Sequence, residues 1–134
     1  MKLFLDACAV IYLIESQQEQ GRKTRLLVDE ARKSNVRLSI SRLSFLECRV
    51  LPLKTQSREL LDCYDRFFRL PGLEIVELDS TVIDIATELR ANHSGGLRTP
   101  DAIQLACAIT SGADQFLTGD KKLATTQEIK VIVV

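Results

Sequence analysis

Four carboxylates, Asp6, Glu47, Asp101 and Asp120, stand where an α/β reading of the chain places one edge of one sheet. Like charges gathered in a small volume repel one another by several kcal/mol at an intermediate effective dielectric. Such a gathering persists only when protons or a cation neutralise it, so the chain points to a divalent metal site. A donor set of carboxylate oxygens suits a hard ion, magnesium or manganese. His93 is the only histidine and receives no role, which excludes a zinc site built on several histidines.

Taken singly, Asp6 and Asp101 suit helix starts, where a negative charge meets the positive end of the helix dipole. Asp120, in Thr118-Gly119-Asp120, suits a turn. Glu47 is different. Leu43, Val50 and Leu51 lie four before, three after and four after it, which predicts that it shares the face of an apolar stripe. A carboxylate on a buried face needs a partner. Asp101 repeats the pattern with Leu105, Ala108 and Ile109 on its own side of a helix that is apolar almost all round. Two inward-facing acids and two edge aspartates together outweigh four coincidences.

The elements that must position them follow from periodicity. Strands are predicted at Lys2 to Leu5, Arg37 to Ile40, Glu74 to Leu78, Gln115 to Thr118 and Lys130 to Val134. Helices are predicted over about Cys8 to Glu15, Arg22 to Lys33, a segment carrying Glu47 as far as Pro52, Ser57 to Arg69, Thr81 to Arg90, and Thr99 to Ser111. The polar Ser16–Gly21 run breaks the first helix, Ser41 or Ser44 caps the third, and Ser94-Gly95-Gly96 forms a loop. Strands alternating with helices imply right-handed crossovers, and hence a three-layer α/β fold whose mainly parallel sheet of about five strands is covered on both faces. Asp6 and Asp120 then follow strands at the carboxyl edge. The helix begun by Asp101 and the helix carrying Glu47 bring their acids to the same edge.

Composition fits one domain over residues 1–134, with 46% hydrophobic and 27% charged residues. The apolar opening is interrupted by Asp6 and is too short for a membrane span or a convincing signal segment, so a cytoplasmic protein is expected. Cys8, Cys48, Cys63 and Cys107 form no CxxC pair, which suits small buried thiols in a reducing compartment. With 18 basic and 18 acidic residues, no global field attracts a polyanion. Local cations therefore carry any nucleic-acid surface: Arg42, Arg49, Lys54 and Arg58 around the third helix, Arg98 before Asp101, and Lys121 with Lys122 after Asp120. Leu60, Leu61, Tyr64, Phe67 and Phe68 give the fourth helix more large apolar side chains than one stripe needs. Either the helix is wedged between core layers, or the excess is exposed for a partner.

The order LFLDACAVI, SISRLSFLE, RTPDAIQLA and GADQFLTGDKKL resembles PIN-domain proteins of the VapC toxin type over nearly the whole chain. The resemblance implies a metal-dependent endoribonuclease, with the four acids forming a magnesium or manganese site. It also implies a toxin held inactive by a cognate antitoxin, commonly homodimeric, with structured RNA as substrate. Where many such proteins carry Thr or Ser directly after the first aspartate, this chain has Ala7 and Cys8.

One or two ions in such a site would polarise a phosphodiester and acidify a water, leaving a 5′-phosphate and a 3′-hydroxyl with no protein nucleophile. Asp6 and Asp101 are then the principal ligands, Asp120 a direct or water-mediated one, and Glu47 a ligand or the group orienting the attacking water. Ser44 and Thr118 are candidate hydroxyl supports. The alternative is a PIN-like domain that binds RNA or protein without turnover. Receiver-domain and haloacid-dehalogenase readings are disfavoured, because Ala7 and Cys8 follow Asp6 where those folds need a second acid.

Overall fold

Apolar β-rich tetrads separated by long amphipathic segments leave the chain little choice but to stack strands side by side and cover them with helices. The computed structural model describes residues 1–93 and 95–134, so Ser94 of the expected loop lies outside the described residues. The elements are β1 (Lys2–Leu5), α1 (Ala7–Glu15), α2 (Glu19–Lys33), β2 (Arg37–Ser41), α3 (Leu43–Lys54), α4 (Arg58–Phe68), β3 (Glu74–Val76), α5 (Ser80–Asn92), α6 (Thr99–Thr110), β4 (Gln115–Thr118) and β5 (Lys130–Val133), with a 3₁₀ turn at Lys121–Thr125. The strands form one sheet in the order β3-β2-β1-β4-β5, every pairing parallel.

Alternation along β1 divides the core into two layers. Leu3 and Leu5 face one side, with Val10, Ile40, Tyr64 and Leu117, under α1, α2 and α4. Phe4 faces the other with Phe116, its ring stacked at 5.5 Å, beneath α5 and α6. The chain leaves β1 toward β2 and β3, then returns through α5 and α6 to β4 on the other flank of β1. That reversal opens a crevice at the carboxyl ends of β1 and β4, the place where open α/β sheets hold their ligands.

Several boundaries differ from expectation for physical reasons. α2 begins at Glu19, so Gly21 lies inside a helix and does not end one. A Cβ on Gly21 would meet the Ser16 backbone oxygen at 2.2 Å, so the glycine lets α1 and α2 approach closely. α3 runs through Pro52 to Lys54, tolerating the one backbone bond that proline removes. Neither Ser41 nor Ser44 caps it, since the cap position is Arg42, without a side-chain bond, and both serine hydroxyls are turned into the protein.

The apolar pattern of α3 is also reversed relative to the sequence reading. Its buried residues are Ser44, Cys48 and Pro52. Leu46, Val50, Leu51 and Leu53 are exposed, so Val50 and Leu51 do not form the buried stripe expected beside Glu47. The aromatic excess of α4 is resolved the other way. Tyr64, Phe67 and Phe68 are all buried, Phe68 stacking on Phe45 at 4.0 Å, and the helix is wedged into the core. The cysteines are free thiols; Cys48 and Cys107 are buried, whereas Cys8 and Cys63 are only half-buried. Among the described residues, no helix is long and apolar enough to cross a membrane.

Candidate metal centre

Asp6 sits at the end of the central strand and caps α1. Its Oδ1 accepts from the Ala9 N–H at 2.9 Å, and its Oδ2 accepts from the Thr118 hydroxyl at 2.5 Å. The Thr118 oxygen in turn accepts from the Asp120 N–H at 3.0 Å, joining the ends of β1 and β4. Asp120 caps the 3₁₀ turn through the Lys122 N–H, at 2.9 Å. Asp101 stands in the first turn of α6, where Arg98 Nε reaches its Oδ2 at 3.4 Å. From the other flank α3 delivers Glu47, whose Oε1 accepts from Gln104 Nε2 at 3.0 Å.

These groups share one cleft of about 360 Å³, lined by Asp6, Ala7, Cys8, Glu47, Arg98, Asp101, Gln104, Gly119 and Asp120. The structure thus brings together all four acids that the sequence singles out. Burial, opposed by the Thr118 and Ala9 hydrogen bonds and reinforced by the nearby Asp101 and Glu47 charges, pushes the Asp6 carboxyl up from 3.8 to about 6. A cation in the cleft would relieve both the desolvation and the repulsion.

The gathering is looser than the sequence suggests. Among the described residues, no group of three or more acidic, histidine or cysteine side chains converges closely enough to hold an ion by itself. Each carboxylate instead has a partner within the protein: Thr118, Gln104, Arg98 or a backbone N–H. The oxygen donor set still fits a hydrated magnesium or manganese ion, which keeps several waters and needs only one or two direct carboxylates.

The remaining predicted residues separate into three places. Thr118 supports Asp6 directly, while Ser44 reaches the site only through Gln104, whose Nε2 donates to its hydroxyl at 3.1 Å. Arg98 and Lys122 line a hollow of about 350 Å³ that shares Asp101 and Asp120 with the acidic cleft, whereas Lys121 is exposed and lines neither. Arg42 and Arg49 do not line the acidic cleft. They flank a separate groove between α3 and α4, Arg42 paired with Glu77 at 2.7 Å and Arg49 donating to the Phe45 carbonyl at 2.9 Å.

Four residues of the cleft, Ala7, Cys8, Gln104 and Gly119, were not assigned to it by the sequence. Gln104 had one available signal, a polar residue in the apolar run of α6, one turn after Asp101. Gly119 lets two side chains close over the β4 end, since a Cβ there would meet the Tyr12 ring at 2.4 Å and Cys8 Sγ at 2.7 Å and oblige both to shift. Cys8 enters the cleft as a neutral thiol, because burial first and the Asp6 charge next push its pKa up.

An acidic crevice at the switch point of a three-layer, all-parallel sheet defines the class of protein. The model of the PIN domain family matches residues 3–129, and the chain belongs to that family. The fold is shared with VapBC2 from Rickettsia felis, solved bound to a DNA fragment from its promoter, at TM-score 0.81 and 19% identity over 100% of this chain and 99% of that one. FitAcB from Neisseria gonorrhoeae superposes at TM-score 0.77, with 15% identity over 97% and 96% of the two chains. VapC20 from Mycobacterium tuberculosis, described as a sarcin-ricin loop cleaving toxin, gives 0.73 at 13% identity over 96% and 98%. No curated protein matches the sequence significantly.

Proposed function

We propose that the chain, as a single PIN domain over residues 1–134, is a magnesium- or manganese-dependent endoribonuclease and the toxin of a toxin–antitoxin pair. The observation that carries this reading is the meeting of four carboxylates from four separate elements in one cleft of a PIN-family protein. Likeness to VapBC2 and to the RNA-cleaving VapC20 supports the toxin context and an RNA substrate.

In this reading Asp6 and Asp101 hold the ion, with Asp120 assisting directly or through water. When bound, the ion supplies Lewis-acid polarisation of a phosphodiester and an acidified water. Glu47 orients that water or joins the ligands, Oε1 being engaged by Gln104 and Oε2 left for the cleft. Thr118 holds Asp6 in place, so the hydroxyl support that Ala7 and Cys8 do not provide comes from β4.

RNA would approach along the hollow beside the acids, its phosphates met by Arg98 and Lys122. A cognate antitoxin is the proposed occupant of the groove between α3 and α4. Phe45, Leu46, Val50, Leu53 and Leu61 give that groove an apolar floor, and Arg42, Arg49 and Arg58 suit acidic flanks on the incoming segment. A second copy of the chain, making a homodimer, is the proposed cover for the apolar surface that exposed Leu51 adds beyond the groove, and the cytoplasm is the proposed location.

Incubation of the purified protein with structured RNA, with and without magnesium or manganese, tests the reading. Cleavage that stops on chelation and leaves 5′-phosphate ends is expected. Metal and RNA binding without cleavage would favour the binding module.

A further inference from the structure

Gln104 is a buried amide with no free hydrogen-bonding hydrogen. Its Oε1 accepts from the Ser41 hydroxyl at 2.8 Å. Its two Nε2 hydrogens go to Ser44 Oγ at 3.1 Å and to Glu47 Oε1 at 3.0 Å. The Glu47 carboxylate can only accept, so the nitrogen end of the amide must face it, and a flip would break that bond while the two serine hydroxyls could rotate to suit either orientation. Ser41 ends β2, Ser44 and Glu47 belong to α3, and Gln104 shares α6 with Asp101. One side chain therefore joins three elements.

Glu47 needs such a restraint. Its neighbours on α3 at the outward positions, Leu46, Val50 and Leu51, are exposed, and Glu47 itself is only half-buried at the margin of the core. Among the described residues, the Gln104 amide is the one hydrogen-bond donor found on the Glu47 side chain. Asp101 lies one turn before Gln104 on the same helix, so the contact also sets where Glu47 stands relative to Asp101 across the cleft.

We infer that Gln104 is the positioning residue of the acidic cleft, holding Glu47 by one oxygen so that the other is presented to the ion and water. This rests on the metal-nuclease reading above. It adds that geometry at the α3 side of the site is imposed from α6, and that Glu47 works only while the two helices are joined through this amide. A purely structural role, in which Gln104 serves only to satisfy Ser41 and Ser44, makes a different forecast.

The two are separated by a double-mutant cycle on the full chain, with Gln104→Met, Glu47→Ala and the double variant. Two readouts are taken, Mn²⁺ dissociation constants and steady-state cleavage of RNA. Loss of an outer partner of a ligand typically costs about 10- to 100-fold in metal affinity or activity. Gln104→Met should lower kcat, or raise the Mn²⁺ dissociation constant, within that range, with little change in KM for RNA. In the Glu47→Ala background, where the side chain at position 47 offers the amide no acceptor, the same substitution should change neither. Gln104→Asn, whose amide is drawn back from Glu47 by one methylene, should reproduce the loss and serves if the methionine variant does not fold.

Equal fold-losses with and without Glu47, or a Gln104→Asn protein as active as wild type, would overturn the inference while leaving the nuclease reading intact. A wild-type protein that binds Mn²⁺ but cuts no RNA would remove the nuclease reading, and the Mn²⁺ cycle would still decide on Gln104. A wild type that neither binds Mn²⁺ nor cuts RNA overturns both.

Discussion

The Thr118 hydroxyl donates to Asp6 Oδ2 at 2.5 Å, tying the last residue of β4 to the acid that follows β1 across 112 positions of sequence. The same oxygen receives the Asp120 N–H, so one hydroxyl orients two of the four acids. Thr118→Val keeps the shape and removes both bonds. Without the donor, the Asp6 carboxyl should rise further above about 6, and the acid limb of the pH–activity profile should move to higher pH. Activity at neutral pH is expected to fall by about 10- to 100-fold, and urea unfolding should report a loss of about 1–3 kcal/mol.

Asp6 also makes the metal-free protein sensitive to pH. The unfolded chain releases this proton near 3.8, while burial holds it in the folded protein to about 6. Between those values the folded state binds more protons than the unfolded, so this group's contribution to stability falls as pH rises and its penalty is complete above about 6. The difference is on the order of 3 kcal/mol. Asp6→Asn should flatten that dependence and stabilise the metal-free protein at pH 7. Magnesium should stabilise wild type there and do less for the variant. Denaturation curves between pH 4 and 7 check this, and a wild-type stability that rises across the window would contradict it.

Asp101→Asn should abolish cleavage and preserve the fold. The amide keeps the shape of a half-buried side chain but lacks the charge an ion needs. The Arg98 pair it disrupts is worth little, since the arginine is 77% exposed. Circular dichroism and an RNA cleavage assay on one preparation separate the two effects. Full activity would remove Asp101 from the site.

RNA affinity should depend on Arg98 and Lys122 more than on Lys121. Each phosphate contact contributes roughly −0.7 to the log–log salt slope for a single strand. Lys122→Ala should flatten the slope by about that amount and leave Mn²⁺ affinity nearly unchanged, whereas Lys121→Ala should have a smaller effect. Filter binding at several salt concentrations distinguishes them. Equal effects of the two would show that the hollow beside the acids does not guide the strand.

Much of this was legible in the sequence because it is written locally. The apolar runs of β1 and β4 place Asp6 and Asp120 at strand ends, Thr99-Pro100 starts α6 just before Asp101, and alternation of strand and helix determines a parallel sheet. What the sequence could not determine depends on which way helices turn once packed. The apolar residues of α3 lie nearly all round it, so periodicity could not say that Ser44, Cys48 and Pro52 face inward while Val50 and Leu51 face out. The support of Asp6 by Thr118, of Glu47 by Gln104 and the separation of Arg42 and Arg49 from the acids likewise arise from contacts between elements far apart in the chain. Sequence determined which acids reach the edge; tertiary packing decided what holds each of them there, because hydrogen-bond partners across a sheet are chosen by strand order and helix rotation rather than by local spacing.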